Sequence, residues 1–151
     1  MHDAMTELRR AIPYIRMYKG KTFVVKVGGR VLEKADRLAA LAEDVALLHQ
    51  LGIPIVLVHG GGAQATELSE KLGIEAKFVA GRRITCEKSL GVAKMVYGGT
   101  INIEILSALR AHQTRAVGVS GVDAGLINAR KRPIVEISAA PGERPMSVDF
   151  G

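Results

Sequence analysis

Ile55-Val56-Leu57-Val58-His59-Gly60-Gly61-Gly62 is the stretch whose reading decides the fold. Its first four residues form an uninterrupted apolar run, mostly β-branched, the pattern of a strand buried on both faces of a parallel sheet. Three glycines end the run, and Ala63 to Leu72 then read as a helix. A strand, a glycine turn and a helix N-terminus leave backbone N–H groups pointing outward. With no Cβ in the way, an anionic group can rest directly on those amides, helped by the positive end of the helix dipole. A plain tight turn between strand and helix would use the same glycines, and one glycine run does not decide between the two.

A second copy lies upstream. Thr22-Phe23-Val24-Val25-Lys26-Val27 reads as a strand closing on Gly28-Gly29. Lys26 is the odd residue in it. An unpaired buried ammonium is costly, so Lys26 either reaches water from an edge strand or meets an anion beside the Gly28-Gly29 turn. Between the two strands, Arg37 to Gln50 is an amphipathic helix with Leu38, Leu41, Val45 and Leu48 on one face, ended by Gly52 and Pro54. Strands alternating with helices of this length imply βαβ units and a parallel sheet with helices on both sides. Ligands of such sheets collect at the carboxyl ends of the strands, which puts Lys26 and both glycine turns on one rim.

Outward from this centre, Thr6 is a candidate N-cap for a helix carrying Leu8, Ile12 and Ile15, and Pro13 inside it predicts a kink or two short helices. In the helix after Gly62, Leu68 and Leu72 are expected to face the core, with Gly73 just beyond its end. Ile74 to Ala80 reads as a short strand leading into a basic tip, Gly81-Arg82-Arg83-Ile84-Thr85. Adjacent arginines are most often solvated surface, and in extended backbone only one of them can line a given cleft. Thr85 is expected to cap a long helical region reaching Arg110 and bent at Gly98-Gly99, with Met95 and Tyr97 in the core or at its rim. Arg115 to Ser120 reads as another buried strand, running into Ser120–Gly125 as a looser third strand–glycine unit. Leu126 to Arg130 and Ile134 to Ile137 read as a hairpin, Pro141, Gly142 and Pro145 as a loop, and Ser147 to Gly151 as the start of a further element.

The 151 residues suffice for one domain with a full core. No apolar run approaches a membrane span, and no secretory signal opens the chain, so a cytoplasmic protein is expected. The single cysteine, Cys86, excludes an internal disulfide and is expected to be a buried first-turn helix residue. His59 is expected to be a neutral structural imidazole, and the four histidines have no zinc spacing, so no metal site is expected. Net charge is +6 and the pI about 9.7. The basic residues are scattered as pairs, aromatics are scarce and tryptophan is absent, which disfavours nucleic acid and favours small anionic ligands or an acidic partner segment.

Lys26-Val27-Gly28-Gly29, His59-Gly60-Gly61-Gly62 and Gly81-Arg82-Arg83-Ile84-Thr85, in that order and spacing, resemble the acetylglutamate kinases of the amino acid kinase family. The resemblance runs from about Lys21 to the end and includes Ala116 to Leu126. It implies a three-layer α/β/α sandwich around a mainly parallel open sheet. It also implies phosphoryl transfer from ATP, with accompanying Mg2+, to the γ-carboxylate of N-acetyl-L-glutamate in arginine biosynthesis. Residue by residue, Lys26 matches the lysine that neutralises the transferring phosphoryl group. Gly28 and Gly29, with Gly60, match phosphate-binding turns. Gly61 and Gly62 match glycines whose amides contact the acceptor, and Arg83 matches the arginine that holds a substrate carboxylate.

The opening Leu8 to Arg16 resembles the N-terminal kinked helix of the arginine-sensitive hexameric members. Residues 1–20 would then be an oligomerisation element, giving a dimer or hexamer with arginine as an allosteric inhibitor, and residues 21–151 the acetylglutamate-binding lobe. The family's second half, which binds the nucleotide and supplies another lysine and an aspartate, has no counterpart in this sequence. Little turnover is therefore expected from the chain alone. Rival readings are an aminoadipate-type kinase, the kinase-like domain of an acetylglutamate synthase, a non-catalytic amino-acid-sensing or oligomerisation module, and a generic α/β nucleotide-binding domain. Arg83 following Gly81, with His59-Gly60-Gly61-Gly62 intact, favours the acetylglutamate kinases over the aminoadipate type.

Overall fold

The computed structural model describes residues 3–75, 77–137 and 145–150. The chain divides into two compact units, Met1–Gly60 with Ile105–Ala116, and Gly61–Glu104 with Val117–Gly151. Among the described residues there are three two-stranded sheets, one parallel and two antiparallel.

The first unit is built on a βαβ element: β1 (Phe23–Val27), α2 (Ala35–Gln50) and β2 (Ile55–His59). Strands β1 and β2 pair in parallel from Phe23↔Ile55 to Val27↔His59. Helix α2 stops where expected. Gly52 adopts φ +80°, a conformation that suits a residue without Cβ, and Ile53 turns inward behind it, 3 % exposed. Ala42, Val45 and Ala46 of α2 are buried together with Val27, Leu32 and Ile53, and Ile105 and Leu109 of α5 (Asn102–Ala111) are buried in the same unit.

The strands are not buried on both faces. Phe23, Val25 and Val27 of β1 face inward, whereas Val24, Lys26, Val56 and Val58 are exposed, Val24 at 70 %. Nothing among the described residues covers this face, so an apolar run that suits two-sided burial is half solvated. Likewise Arg115–Ser120 forms no strand. Val117 and Val119 are exposed and the segment joins no sheet.

Helix α1 (Ala4–Tyr18) is a single element despite Pro13, and its N-cap is Asp3 rather than Thr6. The Asp3 carboxylate accepts the Met5 N–H at 3.1 Å, and its carbonyl accepts that of Thr6 at 2.8 Å. Proline removes one backbone donor, which leaves the bonds on either side to carry the helix. No residue of α1 is buried. Tyr18 meets Phe23 edge-on at 5.3 Å between ring centres, tying the end of α1 to β1.

The second unit contains α3 (Gly62–Lys71), the hairpin β3 (Phe78–Val79) and β4 (Arg82–Arg83), α4 (Glu87–Ala93), a π-helical segment Lys94–Ile101, and the pair β5 (Val135–Ile137) and β6 (Met146–Val148). Leu68 of α3 is half-buried, but Leu72 is 51 % exposed, because the inward face is supplied by the smaller Ala65 and Ser69. Gly98-Gly99 does not break the long helix. The backbone widens into a π-turn there and continues into α5. The helix is capped at Cys86 without a side-chain bond, while the Thr85 N–H donates to the Phe150 carbonyl.

The expected hairpin of 126–130 with 134–137 does not form. Strand β5 pairs instead with β6, from Val135↔Val148 to Ile137↔Met146, and Val148 is buried. Lys131-Arg132-Pro133 therefore precedes a strand instead of turning a hairpin. Pro141 and Gly142 lie outside the described residues.

The β3–β4 hairpin turns through Ala80 (φ +47°) and Gly81 (φ +74°), both in the left-handed region required of a two-residue primed turn. Alanine there is the weak point, since left-handed backbone costs an L-residue about 1–2 kcal/mol. Replacing Ala80 with Asn should raise stability by up to about 1 kcal/mol, read as a higher urea midpoint with unchanged slope. An Ala80→Val exchange should lower it.

Candidate functional site

The structure brings the residues singled out by sequence together in two groups, one in each unit. In the first unit, β1 and β2 end level with one another. Beyond Val27↔His59, the Gly60 N–H donates to the Val27 carbonyl at 3.0 Å. A Cβ on Gly60 would stand 3.6 Å from the Gly29 nitrogen, so the two glycine turns lie side by side at the carboxyl rim. Gly28 precedes a single 3-10 turn, Gly29–Val31, whose bonds run from Val31 N–H to the Gly28 carbonyl and from Leu32 N–H to the Gly29 carbonyl. The Gly60 amide is thus taken up by the sheet, and what Gly60 offers an anion is the absence of a side chain. Lys26 stands opposite Val58 on the exposed face of the strands. His59 is half-buried, its Nδ1 3.3 Å from the Gly60 carbonyl oxygen.

In the second unit, Gly61 is the N-cap of α3 and provides no side-chain cap. Its φ of −179° is ordinary extended backbone, so conformation does not demand glycine here; space does. A Cβ would fall 2.3 Å from Ile101 Cδ1 and 2.8 Å from Tyr97 Cε1. Both side chains come from the π-helical segment; Ile101, 2 % exposed, has no room to move aside, whereas Tyr97 is exposed and can give way more easily. Gly62 opens the helix with nothing within 4 Å of a built Cβ.

Next to this helix mouth lies a cavity of about 490 Å³, lined among others by Gly62, Thr66, Phe78, Arg83, Ser89 and Tyr97. Arg83 is half-buried and Arg82 exposed, the alternation expected of adjacent residues in extended backbone. The hairpin register sets Arg83 opposite Phe78, and its guanidinium carbon sits 5.0 Å from the ring centre. Arg83 Nη2 donates to Thr66 Oγ1 and reaches the Gly62 carbonyl at 3.4 Å. The cavity thus combines one permanent cation, an aromatic wall and a helix N-terminus without a side-chain cap, which suits a small anionic ligand.

Sequence reasoning assigned no role to Thr66 or Phe78 and placed Tyr97 only as core or rim. The register across a two-residue turn is the signal that would have paired Phe78 with Arg83. Thr66 and Tyr97 reach the cavity through tertiary packing, which no local pattern announces.

Cys86 is exposed instead of buried, because it caps α4 from outside. Its Sγ lies 3.3 Å from the Ser89 hydroxyl, and that side-chain hydrogen bond, followed by the Ser89 backbone amide, lowers the thiol pKa. Asp123 accepts from the Ser120 amide and hydroxyl, which lowers its carboxyl pKa and closes a local turn, so the third strand–glycine unit is a side-chain-stapled loop. Among the described residues, no group of three or more His, Cys, Asp or Glu is placed to hold a metal ion, and no helix is long and apolar enough to cross a membrane.

A mixed helix–strand chain with a parallel βαβ element and glycine turns at its strand ends defines an α/β protein, the class in which ligands collect at the carboxyl rim. Residues 21–147 match the model of the amino acid kinase family, and the chain belongs to that family. It is 45 % identical over 144 residues to an acetylglutamate kinase of Marinobacter nauticus, covering 95 % of this chain and 49 % of that protein. It is 43 % identical over 149 residues to an acetylglutamate kinase of Myxococcus xanthus, covering 99 % and 48 %. Among solved structures, N-acetylglutamate synthase from Neisseria gonorrhoeae complexed with coenzyme A and N-acetyl-glutamate superposes with a TM-score of 0.65 at 36 % identity, over 76 % of this chain and 27 % of that one. The chain spans about half the length of the curated relatives it matches.

Two outcomes are expected. Gly61→Ala should destabilise the protein by about 1–3 kcal/mol through overpacking against Tyr97 and Ile101, measured by urea unfolding, whereas Gly62→Ala should leave packing unchanged. Cys86 should be alkylated by iodoacetamide with a pH midpoint below that of a free thiol, since the reactive form is the thiolate. Ser89→Ala should move that midpoint upward.

Proposed function

We propose that this chain is the acceptor-binding half of an acetylglutamate kinase, the part that holds N-acetyl-L-glutamate for phosphorylation of its γ-carboxylate by ATP in arginine biosynthesis. The observation that carries the reading is Arg83, a half-buried cation in a cavity beside the N-terminus of α3, in a chain whose curated relatives bear that enzyme's name. In this scheme Arg83 takes a substrate carboxylate as a fork, and the amides of Gly61 and Gly62 receive acceptor oxygens. Lys26, with the turns at Gly28, Gly29 and Gly60, serves the phosphoryl group. Phosphoryl transfer asks the protein for positioning and for positive charge on the equatorial oxygens, which lysine and turn amides supply without covalent chemistry.

ATP binding falls to a second half of the size that the relatives possess. Magnesium neutralises phosphate charge in such reactions and would enter on ATP. In the whole protein we infer a three-layer α/β/α sandwich, with residues 21–151 as the acceptor lobe and residues 1–20 as an oligomerisation element. Helix α1 supports the latter, for it leaves Met5, Leu8, Ile12, Tyr14 and Met17 exposed and buries none of its residues. A dimer or hexamer formed there, inhibited by arginine and working in the cytoplasm, completes the scheme.

A second reading, the kinase-like domain of an acetylglutamate synthase, has one observation behind it: the structural likeness of this chain to the Neisseria gonorrhoeae synthase with N-acetyl-glutamate bound. Calorimetry on the purified chain tests both. Binding of N-acetyl-L-glutamate is expected, with a non-hydrolysable ATP analogue showing none. Arg83→Ala should weaken acetylglutamate about tenfold to a hundredfold, the worth of a charge-assisted hydrogen bond. Ordinary kinase turnover by these 151 residues would overturn the assignment of the nucleotide site to another half. Failure of acetylglutamate to bind, with arginine binding instead, would favour a sensing module.

A further inference from the structure

A threonine that returns its hydroxyl proton to the carbonyl four residues back is common in helices and by itself signifies nothing. Thr66 does this in α3, its Oγ1 donating to the Gly62 carbonyl at 2.9 Å. What sets it apart is that the same oxygen is met by Arg83, a residue of a different element seventeen positions away. A hydroxyl has one proton and two lone pairs. With the proton committed to Gly62, the lone pairs are left to the guanidinium. The helix backbone therefore decides the polarity of the Thr66 hydroxyl, and that polarity is the one a cation requires.

Two further contacts complete the arrangement. Phe78 covers one face of the guanidinium at 5.0 Å, and the Gly62 carbonyl lies 3.4 Å from the same Nη2 that Thr66 binds. Among the described residues Arg83 makes no other hydrogen bond and no ion pair, so Nη1 and Nε remain for a ligand in the cavity it lines. Arg82 has none of these contacts and stays exposed.

We propose that Thr66 is a positioning residue for Arg83: by accepting from Nη2 it holds the guanidinium plane, already covered by Phe78, so that the opposite edge is presented to a carboxylate before the ligand arrives. This rests on the reading of Arg83 as the carboxylate-binding residue and adds how that residue is pre-set. A long side chain ordered in advance surrenders less rotamer freedom on binding, so loss of the tether should weaken the ligand about three- to tenfold without abolishing binding. Removing Arg83 itself should do more.

The test compares Thr66→Val, which keeps the shape and deletes the acceptor, with Thr66→Ser, which restores it. Each protein is titrated with N-acetyl-L-glutamate by calorimetry, and 15N relaxation of the Arg83 Nε–H group is recorded without ligand, the resonance being identified by its loss in Arg83→Ala. In the valine variant the Nε–H group should become mobile on the picosecond–nanosecond scale and affinity should fall about three- to tenfold, whereas the serine variant should match the wild type in both. An Arg83 equally rigid in wild type and Thr66→Val, unchanged affinity in that variant, or serine behaving as valine does, overturns the proposal. So does tighter binding on loss of the hydroxyl, which would make the contact an obstruction. If the wild-type chain does not bind acetylglutamate, the proposed function fails. The relaxation comparison then still decides whether Thr66 orders Arg83. Should Thr66→Val not fold, Thr66→Ala against Thr66→Ser makes the same comparison.

Discussion

The parallel register of β1 and β2 is the constraint on which the first unit depends. Five residue pairs, Phe23↔Ile55 through Val27↔His59, are followed by one more bond from the Gly60 N–H to the Val27 carbonyl. Side chains alternate along a strand, so a slip of one residue would exchange the two faces. Val27, 5 % exposed, would turn to water, and Lys26 would turn into the apolar layer under α2. The burial of the valine and the exposure of the lysine are therefore a single outcome. The same register ends both strands at one level, and this places the Gly28-Gly29 turn against Gly60.

In the second unit the corresponding constraint is steric. Helix α3 can begin where it does only because Gly61 has no side chain to meet Tyr97 and Ile101. Those two residues lie four apart on the π-helical segment and present one surface to the helix start. Tyr97 is thus at once a packing partner of Gly61 and a wall of the cavity. A second close approach of the same kind occurs at Gly118, where a Cβ would fall 2.0 Å from Asn102 Oδ1.

What the sequence disclosed follows the range of the forces involved. The β1–α2–β2 unit was legible because its signals are local: apolar runs, a 3.6-residue stripe on α2, and Gly52 and Pro54 as terminators. The glycine turns and Arg83 were legible as motifs, and the alternation of Arg82 with Arg83 followed from extended geometry. The rest depended on partners distant in the chain. Val135–Ile137 carries the composition of a strand wherever it pairs, and nothing local distinguishes Leu126–Arg130 from Met146–Val148 as its partner. Val117 and Val119 read as buried because β-branched runs usually are, yet burial is a property of what covers them. Thr66 looks like any helical threonine until Arg83 is folded back against it.

The two proposed cationic residues stand in different surroundings, and the difference bears on chemistry. Arg83 is half-buried over Phe78 and held by Thr66 in the cavity it lines. Lys26 is exposed on an open valine face. A charge pair about 4 Å apart is worth about 1 kcal/mol in bulk water and about 4 kcal/mol at an effective dielectric of about 20. If Lys26 serves a phosphoryl group, those ~3 kcal/mol amount to about a hundredfold in rate, and they are available only once the valine face is covered and water excluded. On the proposed function, recognition of the acceptor draws on what the Arg83 cavity already contains. Acceleration of the transfer needs the surroundings of Lys26 to change. On the proposed function, binding and catalysis are therefore separable in this chain, the first carried by a formed site and the second by a residue still in solvent.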